Sequence, residues 1–293
     1  MSLFLRRVIV LVAGAVGGLL AWPFAELLLG VQYAFPSYLV FMIAAGAVYG
    51  TFFGLSFGSV DGITGGVAAR KWIGLGTGAA AGLVGGAFGA LVGQGIYLAL
   101  GQYLLQRPDA RFAGFVVARG IGWATMGVFI GGVEGLRLRS GKRAGIGALG
   151  GFVGGLLGGL LLEYGTHAFA DAWWIRPAGS VVLGLLVGAG FATIERGFLF
   201  GRLALLTGSL RGREYPLPPG RTTIGGAVGD TITVANYTEV SPKHAVVVAD
   251  RAGMRIARGR GELRVNEEPV EQAELKYDDV IDVGTARFYL KRP

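Results

Sequence analysis

The sequence predicts a polytopic α-helical membrane domain followed by an all-β sandwich. Three observations carry that prediction: six long apolar stretches before residue 205, a change of composition there, and short β-branched runs after it. Residues 1–204 hold 14 Lys/Arg, 7 Asp/Glu and 44 of the 54 glycines, whereas residues 205–293 hold 13 Lys/Arg and 12 Asp/Glu. The composition thus sets two domains, 1–204 and 205–293. The formal net charge of +8 comes almost wholly from the first, mostly at helix ends, so membrane topology accounts for it and nucleic acid does not. The chain has no cysteine, which excludes disulfides and thiolate metal sites.

A helix needs about 20 mostly apolar residues to cross a bilayer core. Six stretches qualify: roughly 8–28, 37–60, 72–100, 112–134, 144–169 and 177–195. Their connections alternate in charge. Arg6, Arg7, Arg70, Lys71, the basic cluster of 137–143, Arg196 and Arg202 fall on one side; the other carries only Arg107, Arg111 and Arg176. Because Lys and Arg favour the cytoplasmic face, both termini are expected there, in a multi-pass protein of the inner membrane. The charged start and apolar run also resemble a signal peptide. Cleavage would leave five spans and reverse the charge bias, so a retained first helix is expected.

An internal repeat is visible. "GLSFGSVDGI" (54–63) and "GVFIGGVEGL" (127–136) end even-numbered spans in the same way, and "GAGFATIERG" (188–197) is a looser copy. Asp61, Glu134 and Glu195 thus occupy matching places, and three tandem glycine-rich hairpins are expected. Gly46, Gly50, Gly54, Gly58 and Gly62 recur every fourth residue, as do Gly74, Gly78, Gly82 and Gly86, and Gly147, Gly151, Gly155 and Gly159. Such rows form flat stripes. Without a hydrophobic drive in lipid, they give close helix packing, within one chain or in a homo-oligomer.

Within the spans, Arg119, Gln94 and Glu26 are the polar exceptions. Arg119 is the candidate intramembrane charge, either snorkelling outward or pairing with Glu26. Asp61, Glu134 and Glu195 either pair with neighbouring bases or form an acidic ring at an inner vestibule. In "EYGTHAFAD", Glu163, His167 and Asp171 share a helix face if the helix persists; an interfacial polar face is the expectation there, with no metal site.

After Glu214 the rhythm changes to "RTTIGG", "TITVA", "AVVVAD", "MRIAR", "LRVNE", "VIDVG" and "ARFYLKR", split by turn residues. This is the pattern of a β-sandwich or barrel, and "GSLRGREYPLPPG" reads as a short tether.

An ordered set of motifs then carries a resemblance: Ile224-Gly225-Gly226, Asp230 near Ile232, Val240-Ser241-Pro242-Lys243-His244-Ala245, Val265-Asn266, Asp278-Asp279-Val280-Ile281 and Val283-Gly284. Over 213–292 the domain resembles the forkhead-associated (FHA) phosphothreonine-binding family. The resemblance implies a sandwich whose loops at one end bind a phosphorylated threonine. Ser241 and His244 match the family's motif, His244 as a structural loop residue. The family's phosphate-binding arginine falls at Gly226, its peptide-fixing asparagine near Gly261, and Pro242 replaces another arginine. Lys243 keeps some positive charge, and Arg221, Arg258 and Arg260 are candidates to substitute. A guanidinium offers charge and several fixed donors, whereas glycine offers one backbone N–H.

These readings together predict a membrane-embedded signalling or scaffold protein that presents a cytoplasmic FHA-like domain to a protein or phosphoprotein partner. Phosphate recognition is expected to be weakened. The alternative is a glycine-rich channel or transporter with a regulatory FHA-like domain. No enzymatic site and no cofactor are expected, because no nucleophile–base pair or phosphate loop occurs and the chain has only two histidines.

Overall fold

A computed structural model describes residues 3–65, 68–137, 140–235, 237–250 and 252–293. The side chains of Asp61 and Glu134 lie outside the described residues. Among the described residues seven α-helices come first: α1 (Leu3–Gly30), α2 (Tyr38–Gly65), α3 (Ala68–Ala99), the short α4 (Gly101–Gln106), α5 (Pro108–Arg137), α6 (Gly141–Ala168) and α7 (Ile175–Gly197). Pro108 opens α5, where its missing N–H is no loss. Six of the helices are long and apolar enough to cross a membrane, by length and composition.

The bundle is apolar outside and small inside. Along α6 the buried residues are glycines, joined only by Leu162 and Glu163, while Leu149, Phe152, Leu157 and Leu161 face outward. A water-soluble bundle has the reverse arrangement, and lipid is the solvent that suits this one. The long helices are neighbours in the cyclic order α1, α2, α3, α5, α6, α7, with α7 returning to α1, and α2 also makes a smaller direct contact with α5.

The glycine rows sit on these seams. A Cβ on Gly46, Gly50, Gly54 or Gly58 would collide with the backbone of Gly86, Gly82, Gly78 or Gly74 respectively. Gly127 and Gly131 meet Gly151 and Gly147 in the same way, and Gly14 meets Gly184. The closest glycine pairings therefore join α2 to α3, α5 to α6 and α7 to α1. The hairpins expected from the repeat (spans one–two, three–four, five–six) are the complementary set of neighbours. The α2 and α3 stripes are consumed within the chain.

At the centre, Phe53, Met126, Ile130, Leu162, Leu183 and Val187 form a buried apolar cluster, with Tyr49, Phe57 and Trp123 packed against it. A small cavity lies on either side of this plug, one beside Tyr49 and Arg119 and one beside Arg6 and Phe191.

The β domain follows after only residues 198–200. Its strands are β1 (Gly201–Leu205), β2 (Glu214–Leu217), β3 (Gly220–Gly225), β4 (Ile232–Thr233), β5 (Ala245–Asp250), β6 (Gly253–Arg258), β7 (Leu263–Val265), β8 (Glu268–Pro269), β9 (Gln272–Leu275), β10 (Val280–Val283) and β11 (Ala286–Lys291). One sheet runs β2-β1-β11-β10-β7-β8 and the other β4-β3-β5-β6-β9. In β5, Ala245, Val247 and Ala249 point inward and alternate with half-exposed neighbours. Leu203, Leu205, Ile224, Ile256, Ile281, Phe288 and Leu290 complete the core between the sheets.

The 204/205 boundary expected from composition falls inside β1. The expected tether is likewise ordered: its Glu214–Leu217 part is β2, paired with β1 through Leu203↔Tyr215. The apolar run "GRLAL" looks like the tail of a span, and only its pairing with β11 (Leu203↔Leu290) makes it a strand.

Candidate functional site

The two ends of the sandwich differ. At one, Thr222 on β3 accepts a hydrogen bond from Arg143 of α6 at 2.7 Å, and Gly220 lies near Ser140 and Lys142. This end faces the helices. β3 runs away from them, pairing Gly220 with Ala249 and Ile224 with Ala245. Over five residues the strand advances about 17 Å. The loops at Gly226, 240–244 and 259–262 therefore gather at the end remote from the bundle.

Two buried side chains brace these loops. Asp230, 1% exposed, accepts from the Lys243 N–H at 3.1 Å and the Ala227 N–H at 3.1 Å. His244 is fully buried; its Nδ1 accepts from the Ser241 N–H at 3.2 Å and its Nε2 donates to the Glu262 carbonyl at 2.7 Å. These partners fix the tautomer, because an N–H only donates and a carbonyl only accepts. The His244 carbonyl accepts from the Gly259 N–H at 2.7 Å, and Gly261 lies flat against the imidazole, where a Cβ would strike the ring. Lys243 and Glu239 hold positive φ, 49° and 62°, conformations that need such anchoring in residues other than glycine.

Into this frame the candidates fall unevenly. Ser241, Lys243 and Gly226 come together, and the Ser241 hydroxyl makes no hydrogen bond among the described residues. Lys243 and Arg260 are exposed at the same end. Gly226 has already committed its N–H, to the Ser241 carbonyl at 3.1 Å. A Cβ there would stand 2.8 Å from the Val240 carbonyl oxygen, so the loop is built without room for a side chain. Arg258 is ion-paired with Glu271 at 2.9 Å. Arg221 is a correction: it pairs with Val248 at the helix-facing end of β3, roughly a strand's length from Ser241. The extended strand carries Arg221 away from the loops, so it does not substitute there.

Within the bundle Arg119 neither snorkels nor pairs with Glu26. Its Nε donates to Glu163 at 3.3 Å, Trp123 donates to the same carboxylate oxygen at 2.8 Å, and Nη1 points at the Met42 sulfur at 3.2 Å. Both charged side chains are largely buried, 16% and 9% exposed. Glu26 instead pairs with Arg176 at 3.1 Å. Glu195 meets Arg6 at 2.6 Å and so links α7 to α1 at the end nearer the β domain. The Glu163, His167 and Asp171 row does not form, because α6 stops at Ala168; His167 instead lies against Phe112 and Phe115. Sequence reasoning missed the Arg119–Glu163–Trp123 cluster. Its only signal was that Arg119 and Trp123, four apart, share a face of α5.

Residues 204–293 match the Yop-YscD family model, described as the inner membrane component of the T3SS (type III secretion system), cytoplasmic domain. No curated protein matches the chain. Among solved structures, an FHA domain with phosphothreonine-dependent interactions is 27% identical, over 32% of this chain and 96% of that one, with a TM-score of 0.30. The FhaA FHA domain complexed with the intracellular domain of Rv3910 is 28% identical, over 31% and 99%, with a TM-score of 0.29. The cytoplasmic domain of the T3SS sorting platform protein PscD from P. aeruginosa is 22% identical, over 32% and 82%, with a TM-score of 0.28. The two sheets, the ordered motifs and the family match agree: the C-terminal domain of this chain is FHA-like.

Proposed function

We propose that this chain is an inner-membrane scaffold that holds its FHA-like domain at the cytoplasmic face, with the loops around Ser241 turned toward a protein partner. The family description, an inner membrane component with a cytoplasmic domain, supports the placement. So does the clustering of basic residues at the span ends nearer the β domain. The reading assigns capture and no turnover.

One observation carries the reading of the site. Its scaffold is fully braced by Asp230 and His244, while the position where the family keeps its arginine is closed by the Val240 carbonyl. Without a bidentate guanidinium a phosphate loses about 1.5–3 kcal/mol, one to two decades of affinity. Ser241, Lys243 and Arg260 remain as a polar, cationic contact surface. The partner is therefore a protein whose binding depends little on phosphate.

The test is capture of cytosolic proteins by the detergent-solubilised full chain, before and after phosphatase treatment. Capture that survives phosphatase and is lost in Lys243→Glu supports the proposal. Capture abolished by phosphatase and by Ser241→Ala would instead establish phosphothreonine reading.

A channel or transporter is the second reading, and one observation favours it: the buried Arg119–Glu163 pair beside a cavity of about 60 Å³, room for a few waters. Against it stands the plug of Phe53, Met126, Leu183 and Val187, each no more than 3% exposed. Flux of small ions through proteoliposomes, absent from Arg119→Met, would favour the second reading.

A further inference from the structure

Where α7 hands over to β1, the bundle and the sandwich leave a cleft of about 550 Å³ between them. Lys142, Ile146 and Leu149 line it from α6, at the i, i+4 and i+7 spacing of one helix face. Phe198 forms the opposite wall, and Pro219 and Asp250 lie on the β-domain rim. Leu149 and Phe198 are each 47% exposed, so the cleft is lined by open apolar surface. Ile146 and Leu149 belong to the apolar span Gly141–Ala168, and Lys142 stands in its first turn, where the membrane reading of α6 puts lipid headgroups.

The charges on the rim are unequal in their commitments. The Asp250 carboxylate accepts from the Ala252 N–H at 2.8 Å and from Arg255 at 3.2 Å. Arg143 turns to Thr222. Lys142 makes no direct ion pair among the described residues, but its charge reaches Asp250 across the rim and, after the Ala252 N–H and Arg255, helps hold that carboxyl below its usual range. The cleft thus presents the Lys142 ammonium beside an apolar lining, with the Asp250 carboxylate already committed to Ala252 and Arg255. Water there would leave Leu149 and Phe198 uncovered, whereas an acyl chain covers both.

We propose that this cleft holds one anionic phospholipid, its phosphate on the Lys142 ammonium and an acyl chain along Ile146, Leu149 and Phe198. Such a lipid touches α6, the α7–β1 connection and the β domain at once, and so fills the joint between the two domains. The proposal rests on the membrane reading of the helices and is independent of what the Ser241 loops capture.

The test uses the full chain in detergent, titrated with phosphatidylglycerol or with phosphatidylcholine of the same acyl chains, and read by native mass spectrometry. Phosphatidylglycerol is expected to be retained about tenfold better, with Lys142→Glu removing that preference. Lys142→Gln, a milder change at an exposed position, should lower it about threefold. Leu149→Ser should weaken both lipids together. Equal retention of the two lipids, or a preference unchanged in both Lys142 variants, overturns the proposal. Displacement by glycerol phosphate at equal concentration also overturns it, in favour of free phosphate, and a second copy of the chain in place of lipid does so in favour of an interface. Extraction of the chain from membranes by alkaline carbonate would separately refute the membrane reading.

Discussion

Arg119 on α5 meets Glu163 on α6 at 3.3 Å, inside a bundle whose outer surface is apolar. Trp123 donates to the same carboxylate at 2.8 Å, so the charge has two donors on one neighbouring helix. Breaking a buried pair from one side strands the other charge, at a cost of about 3–5 kcal/mol. Glu163→Leu is therefore expected to lower the thermal unfolding temperature sharply in detergent. The double variant Arg119→Met with Glu163→Leu should recover most of the loss, because replacing both charges by apolar groups is close to neutral. Equal losses in the single and double variants would show that the pair itself is not what holds α5 to α6.

The glycine seam makes a sharper demand. Gly50 and Gly82 touch backbone to backbone, whereas Gly76 on the same α3 has nothing near its missing Cβ. Gly50→Ala must push two helices apart and should cost about 1–3 kcal/mol. Gly76→Ala should instead stabilise by roughly 0.5–1 kcal/mol, since alanine loses less backbone freedom. Thermal unfolding of the two variants in the same detergent separates a packing requirement from a merely compositional one.

His244 and Gly226 divide the FHA-like loops into frame and reader. His244→Ala removes the acceptor for the Ser241 N–H and the donor for the Glu262 carbonyl, both at a fully buried site. It should destabilise the β domain by about 1–3 kcal/mol, measured by urea unfolding followed through intrinsic fluorescence. Gly226→Arg restores the family's residue but drives its Cβ toward the Val240 carbonyl. Affinity for a phosphothreonine peptide, read by fluorescence anisotropy, is expected to rise less than about tenfold. A gain of two decades would mean that the loop yields and that the site is dormant rather than lost.

What the sequence disclosed follows from the range of the signals. The helical spans are legible because lipid imposes a long apolar run, and the stripes because every fourth residue returns to the same face. β5 is legible as a short β-branched run and β11 as a roughly alternating one. β1 and β2 are not: "GRLAL" continues an apolar span, and "EYPL" sits in a stretch rich in glycine and proline. Their identity lies in long-range partners, Lys291 and Leu290 for Arg202 and Leu203. At the site, Ser241 and His244 are close in the motif, and the Ser241 N–H donates to the imidazole. The partner of Arg119 and the position of Arg221 depend on which helices and strand ends meet, which local spacing does not encode.

The joint between the domains supplies the last prediction. Only residues 198–200 separate α7 from β1, and Phe200 is held at both ends. Its N–H donates to the Leu217 carbonyl at 2.9 Å, and its own carbonyl accepts from the Tyr277 hydroxyl at 2.9 Å. A second tie runs from Arg143 to Thr222 at 2.7 Å. A flexible linker would let the loops around Ser241 sweep a wide volume, whereas two ties hold them at a set distance from the membrane. Arg143→Ala should therefore broaden the distance distribution between spin labels on α6 and β6, with β-domain stability changed by no more than about 0.5–1.5 kcal/mol. Inserting a six-residue Gly-Ser segment after Phe198 should broaden it further. If the insertion alone broadens the distribution and Arg143→Ala leaves it narrow, the short connection sets the orientation and the hydrogen bond does not.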